Sequence, residues 1–491
     1  MSPIPIDDQA RADRPAAPRI DRAGPFLYFR GHHGERISLA AILVRPEREN
    51  PPDLHAEGGT VKAEPLYVWH GVKVWRYSFD LATQPDASYT LDGARYPVET
   101  VMAGDLRLAY VSCNGQEHGD RERPLEERNV LWHRLARQHE AAPFHLLLQG
   151  GDQIYADEML DSRPELRAWR DGEPAATRDP NVLLAIRNAL RTHLFERYLQ
   201  LYTQEGPAAL LARIPSLCMW DDHDICDGWG SLKPAQLDSP IGRAVFGVAR
   251  ELFMLFQLGA HPDGPPPICL DAGGGTLSWA TSLPGVDLVA PDLRSGRRPD
   301  RVMSELGHDT FERAMNAATA ERVFVLSSVP VLGPRLSWVE RSLLLMPGVQ
   351  KYEDDLRDQW QSRAHRAEWR RFLRRLLDNH GQPGQHVTVL SGEIHLATHG
   401  TLAYGPRPMH QLIASGITHP PPPRWYARSL GALARLGESP LPGHPIRLHP
   451  LPGRRGIYTA QRNYLVLERT DGIWHARWEL EHDGGTPRLP L

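Results

Sequence analysis

Cysteine is scarce, with four in 491 residues: Cys113, Cys218, Cys226 and Cys269. That is too few for a disulfide framework and fits a reducing compartment. Long apolar runs are missing too, and none approaches the roughly 20 residues a helix needs to cross a bilayer. The opening, Met-Ser-Pro-Ile-Pro-Ile-Asp-Asp, has neither the basic nor the apolar stretch of a secretory leader. Nor does one sign of charge prevail. Lys and Arg total 56 against 60 Asp and Glu, a formal charge of -4. This near balance argues against binding nucleic acid or acidic lipid through overall charge, while leaving local patches open. There is no extended basic stripe and no internal repeat. Together these absences predict a soluble cytoplasmic protein with no nucleic-acid partner, and they leave the oligomeric state undetermined.

Proline (44) and glycine (42) are plentiful, which predicts many loops and suits a site assembled from loops on a rigid sheet. Residues 1–23 are polar and Pro-rich without periodicity, as in a flexible tail. In 24–100, β-branched or aromatic runs at 26–29, 37–43, 67–69 and 72–81 are separated by Gly, Pro or acidic breaks, and Asp92-Gly93 marks a hairpin. The expectation is a small N-terminal β-sandwich domain. A catalytic domain is expected over 105–485.

In that second region, helix-like and strand-like patterns alternate, as in an α/β core. Helices are expected over 126–139, 181–202, 241–258 and 363–379. In the last of these Trp369, Phe372, Leu373, Leu376 and Leu377 follow one face, and Gly381 is placed to end it. Strands are expected at 106–111, 144–148, 215–220, 277–282, 286–293, 323–326, 386–390, 464–468 and 474–480. His419 and four prolines read as a stiff loop.

Four of these apolar runs end abruptly in possible metal ligands. The first empties into Cys113. The second empties into Gly150-Gly151-Asp152, with Tyr155 three residues on. The third leads into Asp221-Asp222-His223-Asp224, and the fourth into Gly392-Glu393-Ile394-His395. Each alone also reads as a strand followed by a polar turn, and Cys113 as a small buried hydrophobe. In a parallel core, however, the carboxyl ends of strands gather, and open α/β sheets carry their sites there. Carboxylate and phenolate oxygens suit hard ions such as ferric iron, and a carboxylate such as Asp152 can bridge two cations.

The strings Gly-Asp-Gln-Ile-Tyr-Ala-Asp (151–157), Trp-Asp-Asp-His-Asp (220–224), Ser112-Cys113, Ser-Gly-Glu-Ile-His (391–395) and Arg462-Asn463-Tyr464 resemble the PhoD-like alkaline phosphatases, a branch of the calcineurin-like, purple-acid-phosphatase-related metallophosphoesterases. The resemblance implies an α/β sandwich core of two sheets flanked by helices, preceded by the small β-sandwich. It also implies hydrolysis of phosphate monoesters or diesters by a hydroxide held at two metal ions. Iron plus calcium are the metals implied, with manganese or zinc as alternatives. Cys113, Asp152 and Tyr155 would hold iron, Asp152 would bridge, and Asp222, Glu393 and His395 would complete the shell. His223 would contact the phosphate or leaving oxygen. Where the family has Asp, this chain has Glu393, and the twin-arginine signal of secreted members is lacking.

From the chemistry, Asp152 and His223 are the expected catalytic residues, with His223 as general acid. Arg294 and Arg297 are candidate clamps for phosphoryl oxygens, as is His223. Asp224 reads as a carboxylate orienting a histidine, and His399 as a surface or supporting residue. Cys218 and Cys226 read as packing, and Lys351, Tyr352, Asp354 and Asp355 as a polar loop at the cleft. The expected substrate is a small or lipid-derived phosphoester. The alternative is a catalytically weak PhoD-like fold that binds ligands or acts as a scaffold.

Overall fold

Apolar runs bounded by glycine or charge become strands buried on both faces, and these position everything else. The computed structural model describes residues 19–117, 120–173, 177–334 and 359–491. Its central strands Leu106–Val111, Leu146–Gly150 and Ser216–Met219 lie side by side and parallel, with Leu148 opposite both Tyr110 and Leu217. Asn463–Thr470 and Ile473–Leu480 extend this sheet antiparallel on one side. A second sheet has Val286–Ala290, Arg322–Ser327, His386–Ser391 and Met409–Ile413 as its parallel centre.

Strand alternation divides the core into layers. Leu146 and Leu148 point toward Phe324, Leu326, Leu390 and Leu412 of the second sheet and form the dry seam between the sheets. Leu147 points the other way, into the helices Pro180–Tyr202 and Pro240–Phe256. On the far side, Val323, Val325, Val387 and Val389 pack against Glu305–Ala317 and Arg366–His380. The result is helices, sheet, sheet, helices.

The first 80 or so described residues also form β-structure. Ala23–His33, Arg36–Pro46, Val72–Ala82 and Glu64–Trp69 make one wall, and a four-stranded sheet around Leu54–Ala56 and Ser88–Leu91 makes the other. Leu54, Tyr89 and Leu91 fill the space against Leu43, Tyr77 and Phe79. One wall of this sandwich is continuous with the main sheet, because Ala23–His33 pairs parallel with Ser216–Met219 at Tyr28 and Ser216.

Several local details differ from expectation. The helix expected at 126–139 is divided at Asn129 into Leu125–Arg128 and Val130–Ala141. Gly381 ends its helix with φ of -79, so it serves space rather than a left-handed turn; an added Cβ would meet the Tyr404 hydroxyl. Helices not anticipated include Glu305–Ala317 and Arg424–Ala434, and strands not anticipated include Thr398–Leu402, Met409–Ile413 and His444–His449. Lys351, Tyr352, Asp354 and Asp355 fall outside the described residues, as does most of the N-terminal tail. No helix among the described residues is long and apolar enough to cross a membrane.

Candidate metal centre

The two sheets meet at the carboxyl ends of their parallel strands because two glycines leave room. A Cβ on Gly392 would lie 2.4 Å from the Ser112 hydroxyl, and one on Gly151 would lie 3.1 Å from the Cβ of Ser328, just past a strand of the second sheet. Gly151 also has φ of 104, a value that costs a glycine little.

The residues beside these glycines bear the strain. Cys113, Asp152, Glu393 and His395 have φ of 52, 55, 63 and 51. Each non-glycine residue in this left-handed region costs roughly 1–2 kcal/mol, and such outliers gather at functional sites. Local hydrogen bonds hold the turns: the Cys113 amide donates to Gly151 O at 3.1 Å, and the Asn114 amide to Asp152 O at 2.8 Å.

A buried carboxylate organises the aspartate loops. Asp224 Oδ2 accepts the amides of Asp152 and Asp221, both at 2.9 Å. Its Oδ1 accepts the amides of Gln153 and Ile154 at 3.1 and 3.3 Å and the Gln257 side chain at 2.7 Å. Burial raises its pKa to about 7 against the lowering effect of these donors. The role differs from the one expected: Asp224 fixes backbone, not a histidine.

Among the described residues, four groups of side chains bring ligand atoms within 4.8 Å of one another. One is Cys113, Asp152 and His395; another is Asp152, Asp221 and Asp222. Asp152 is common to both. Its Oδ2 accepts the Cys113 thiol at 3.6 Å, while Oδ1 is buried without a hydrogen-bond partner. The Tyr155 hydroxyl lies 2.9 Å from His395 Nε2, and its ring stacks on His223 at 4.2 Å. The remaining groups are Glu117, Asp157 and His223, and Asp222, His223 and Asp227.

The electrostatics call for a cation. Burial first, and Asp221 next, raise the Asp152 pKa well above the carboxylate range. Burial and then Asp152 raise the Cys113 thiol, and burial followed by Cys113 raises the Tyr155 phenol. At His223 burial pulls the pKa down, but Asp157, Asp222 and Asp152 together lift it well above the usual imidazole value. Buried anionic ligands in excess of cations, with an unpartnered Asp152 oxygen aimed into the group, fit metal binding, because an ion's charge reverses each of these shifts.

Of the residues singled out from sequence, Cys113, Asp152, Tyr155, Asp222, His223 and His395 therefore sit together. Among the described residues Glu393 joins no donor group, and both its oxygens receive the Gln359 amide at 2.8 Å. Arg294 is fully buried. Its guanidinium donates to Asp221, to Asp222 at 3.3 Å and to Trp229 O at 3.2 Å. It thus braces ligand-bearing aspartates instead of reaching outward as a clamp. Arg297 is equally buried, with its side chain against Gly230. His399 lies on a strand of the second sheet, 2.9 Å from His410. Cys218 and Cys226 are buried and all four thiols are free.

Sequence reasoning missed Asp221, Asp157 and His419. Asp157 Oδ2 sits 2.7 Å from His223 Nδ1. The His419 ring stacks on His395 at 3.7 Å and on Tyr155 at 5.2 Å. Asp157 lies inside a motif already noted and was legible as a histidine partner. His419 carried no signal beyond its proline-rich setting.

Two sheets packed face to face, helices on both outer sides and donor groups at adjoining strand ends define a metallophosphatase-type sandwich. Solved structures share the fold. "Structure of PhoD" matches with a TM-score of 0.57 at 13% identity, covering 96% of this chain and 90% of that one. The purple acid phosphatase PPD1 from yellow lupin (Lupinus luteus) seeds matches with a TM-score of 0.53 at 9% identity, covering 94% and 73%. The model of the PhoD-related phosphatases matches residues 107–351. The chain is thus PhoD-like in sequence over residues 107–351 and PhoD-like in fold. It is also 25% identical over 398 residues to an uncharacterized protein of Saccharomyces cerevisiae, covering 67% of this chain; it spans 56% of that protein's length.

Proposed function

We propose that the chain hydrolyses phosphate esters at a centre whose residues would hold two metal ions, with Asp152 common to both sets of donors. The observation that carries this reading is the Asp152 carboxylate itself. It is shared by two donor groups, and one buried oxygen has no hydrogen-bond partner. Cys113, Asp152, Tyr155 and His395 would hold one ion, and Asp152, Asp221 and Asp222 the other. Iron suits the thiolate–phenolate set, and calcium, manganese or zinc the carboxylates. When bound, two such ions lower the pKa of coordinated water toward neutrality and neutralise phosphoryl oxygens.

The protein's own side chains supply orientation and a proton. Asp157 fixes His223 through Nδ1 at 2.7 Å, which leaves Nε2 as the nitrogen that meets the leaving oxygen. Arg294 keeps Asp221 and Asp222 in place from behind. The substrate would be a small or lipid-derived phosphoester. A reducing, cytoplasmic setting goes with a Cys113 ligand. Glu393, the one departure from the family motif, stands outside both donor groups, so that irregularity does not deplete the centre.

Chelation tests the reading. Protein freed of metal should lose hydrolysis of p-nitrophenyl phosphate and of its bis-ester, and readdition of metal should restore it. Undiminished hydrolysis by metal-free protein would overturn the proposal.

A further inference from the structure

Between Ile394 and Leu467 the chain carries eight arginines, no lysine and a single acidic residue, Glu438, although the protein as a whole is charge-balanced. Glu438 is buried and bonded to Arg366 at 3.0 Å, so it does not offset the charge at the surface. Three of these arginines lie on or just beyond the helix Arg424–Ala434.

The helix has two distinct faces. Ala427 and Ala434 pack into a small apolar cluster with Leu396 and Tyr458, and Gly431 keeps the helix close, its Cβ position 3.7 Å from Ile457. Ile394, between Glu393 and His395, packs against the same cluster. At 3.6 residues per turn, Arg424, Arg428 and Arg435 fall along one outer line, and Trp425, Ala432 and Leu436 along the line beside it. All six are exposed, Trp425 at 62% and Leu436 at 75%. The three arginines make no ion pair with a described residue. Beyond the helix end, Arg435 and Arg447 line a groove of about 760 Å³, roomy enough for a lipid headgroup.

An exposed Trp and Leu beside a row of arginines is the pattern of a helix that lies in a membrane interface, its cations on anionic headgroups and its apolar side chains at the acyl boundary. We propose that this face docks the protein peripherally on an anionic membrane surface. Arginines alone would suit a nucleic acid equally; the large apolar side chains on the same arc favour lipid. The helix is tied to the metal centre through Pro420–Pro423, since His419, which stacks on His395, donates its amide to Cys113 O at 3.3 Å. Docking would therefore hold the centre beside membrane-borne phosphoesters, a consequence that rests on the hydrolase reading while the docking itself does not.

The test is co-sedimentation of the full chain with phosphatidylcholine vesicles with and without phosphatidylserine. Wild type, Arg424→Gln/Arg428→Gln/Arg435→Gln and Trp425→Ala/Leu436→Ala are compared, with thermal melts to verify folding. Binding is expected only with phosphatidylserine. It should weaken about fivefold per arginine removed, about a hundredfold in the triple variant, and also weaken in the Trp425/Leu436 variant. Hydrolysis of a soluble phosphoester should be unchanged in both, so vesicle binding without hydrolysis would fault the hydrolase reading alone. Absence of binding to the anionic vesicles would overturn the proposal, as would equal binding by folded variants. So would binding that duplex DNA competes away and that the Trp425/Leu436 variant retains, which would assign the face to a nucleic acid.

Discussion

The backbone amide of Asp152 donates to the carboxylate of Asp224 at 2.9 Å, and the same Asp224 oxygen accepts the amide of Asp221 at 2.9 Å. One buried side chain thus sets the spacing of two strand-end loops that carry three carboxylates of the centre. Replacing it by Ala orphans several buried donors at about 1–3 kcal/mol each, and Asp224→Ala is expected to unfold or melt far below wild type. Asp224→Asn retains one accepting oxygen. It should fold with reduced stability and bind metal about 10–100-fold more weakly. Denaturation paired with metal titration checks both. Wild-type metal affinity in Asp224→Asn would show that the clasp does not position the ligands.

His223 and Asp157 form a separate couple at 2.7 Å, on the side of Tyr155 where the histidine ring stacks. A histidine that protonates the leaving oxygen matters most when that oxygen is basic. His223→Ala should therefore lose about 10²–10⁴-fold on an alkyl phosphate and much less on p-nitrophenyl phosphate, whose leaving group departs as the anion. Equal losses on the two substrates would assign His223 to binding or folding instead.

Three histidines away from the centre give a pH dependence of stability. Burial, the first cause in each, holds His139 at about 4, His399 at about 3 and His410 at about 4, against a usual 6.5. Phe144 donates its amide to the His139 ring at 3.0 Å, and His399 and His410 share a hydrogen bond at 2.9 Å. As pH falls below the usual value, the unfolded chain takes up protons that the folded chain refuses. These histidines should then take stability away between pH 6.5 and about 4, each by a slope approaching about 1.4 kcal/mol per pH unit, while Asp224, held at about 7, works in the opposite direction. Urea titrations across that range measure it, and His410→Gln should flatten the slope. The same slope in wild type and His410→Gln would mean that this ring protonates in the fold.

The framework of the site was legible because its signals are local. An apolar run that stops at Gly-Gly-Asp, or at Asp-Asp-His-Asp, announces a buried strand and a charged turn within a few residues. What stayed hidden depends on long-range contacts. His419 reaches His395 and Tyr155 only because Met409–Ile413 is the strand beside His386–Ser391. Arg294 reads as an outward-reaching clamp until the fold encloses it against Asp221 and Asp222. Asp221 and Asp222 are adjacent and chemically alike, and only the fold shows that both join the Asp152 group. The helix Arg424–Ala434 was obscured by the four prolines before it and by two aromatics near its start, residues that read as loop in a single sequence.

The central claim is that Asp152 joins two metal ions. Metal analysis of purified protein, with hydrolysis of p-nitrophenyl phosphate and bis-p-nitrophenyl phosphate by wild type and Asp152→Asn, tests it most directly. The account predicts two metal ions per wild-type chain, loss of at least one in the variant, and a rate at least about a hundredfold lower on whichever ester the wild type prefers. A folded Asp152→Asn variant with wild-type metal content and wild-type turnover would contradict it.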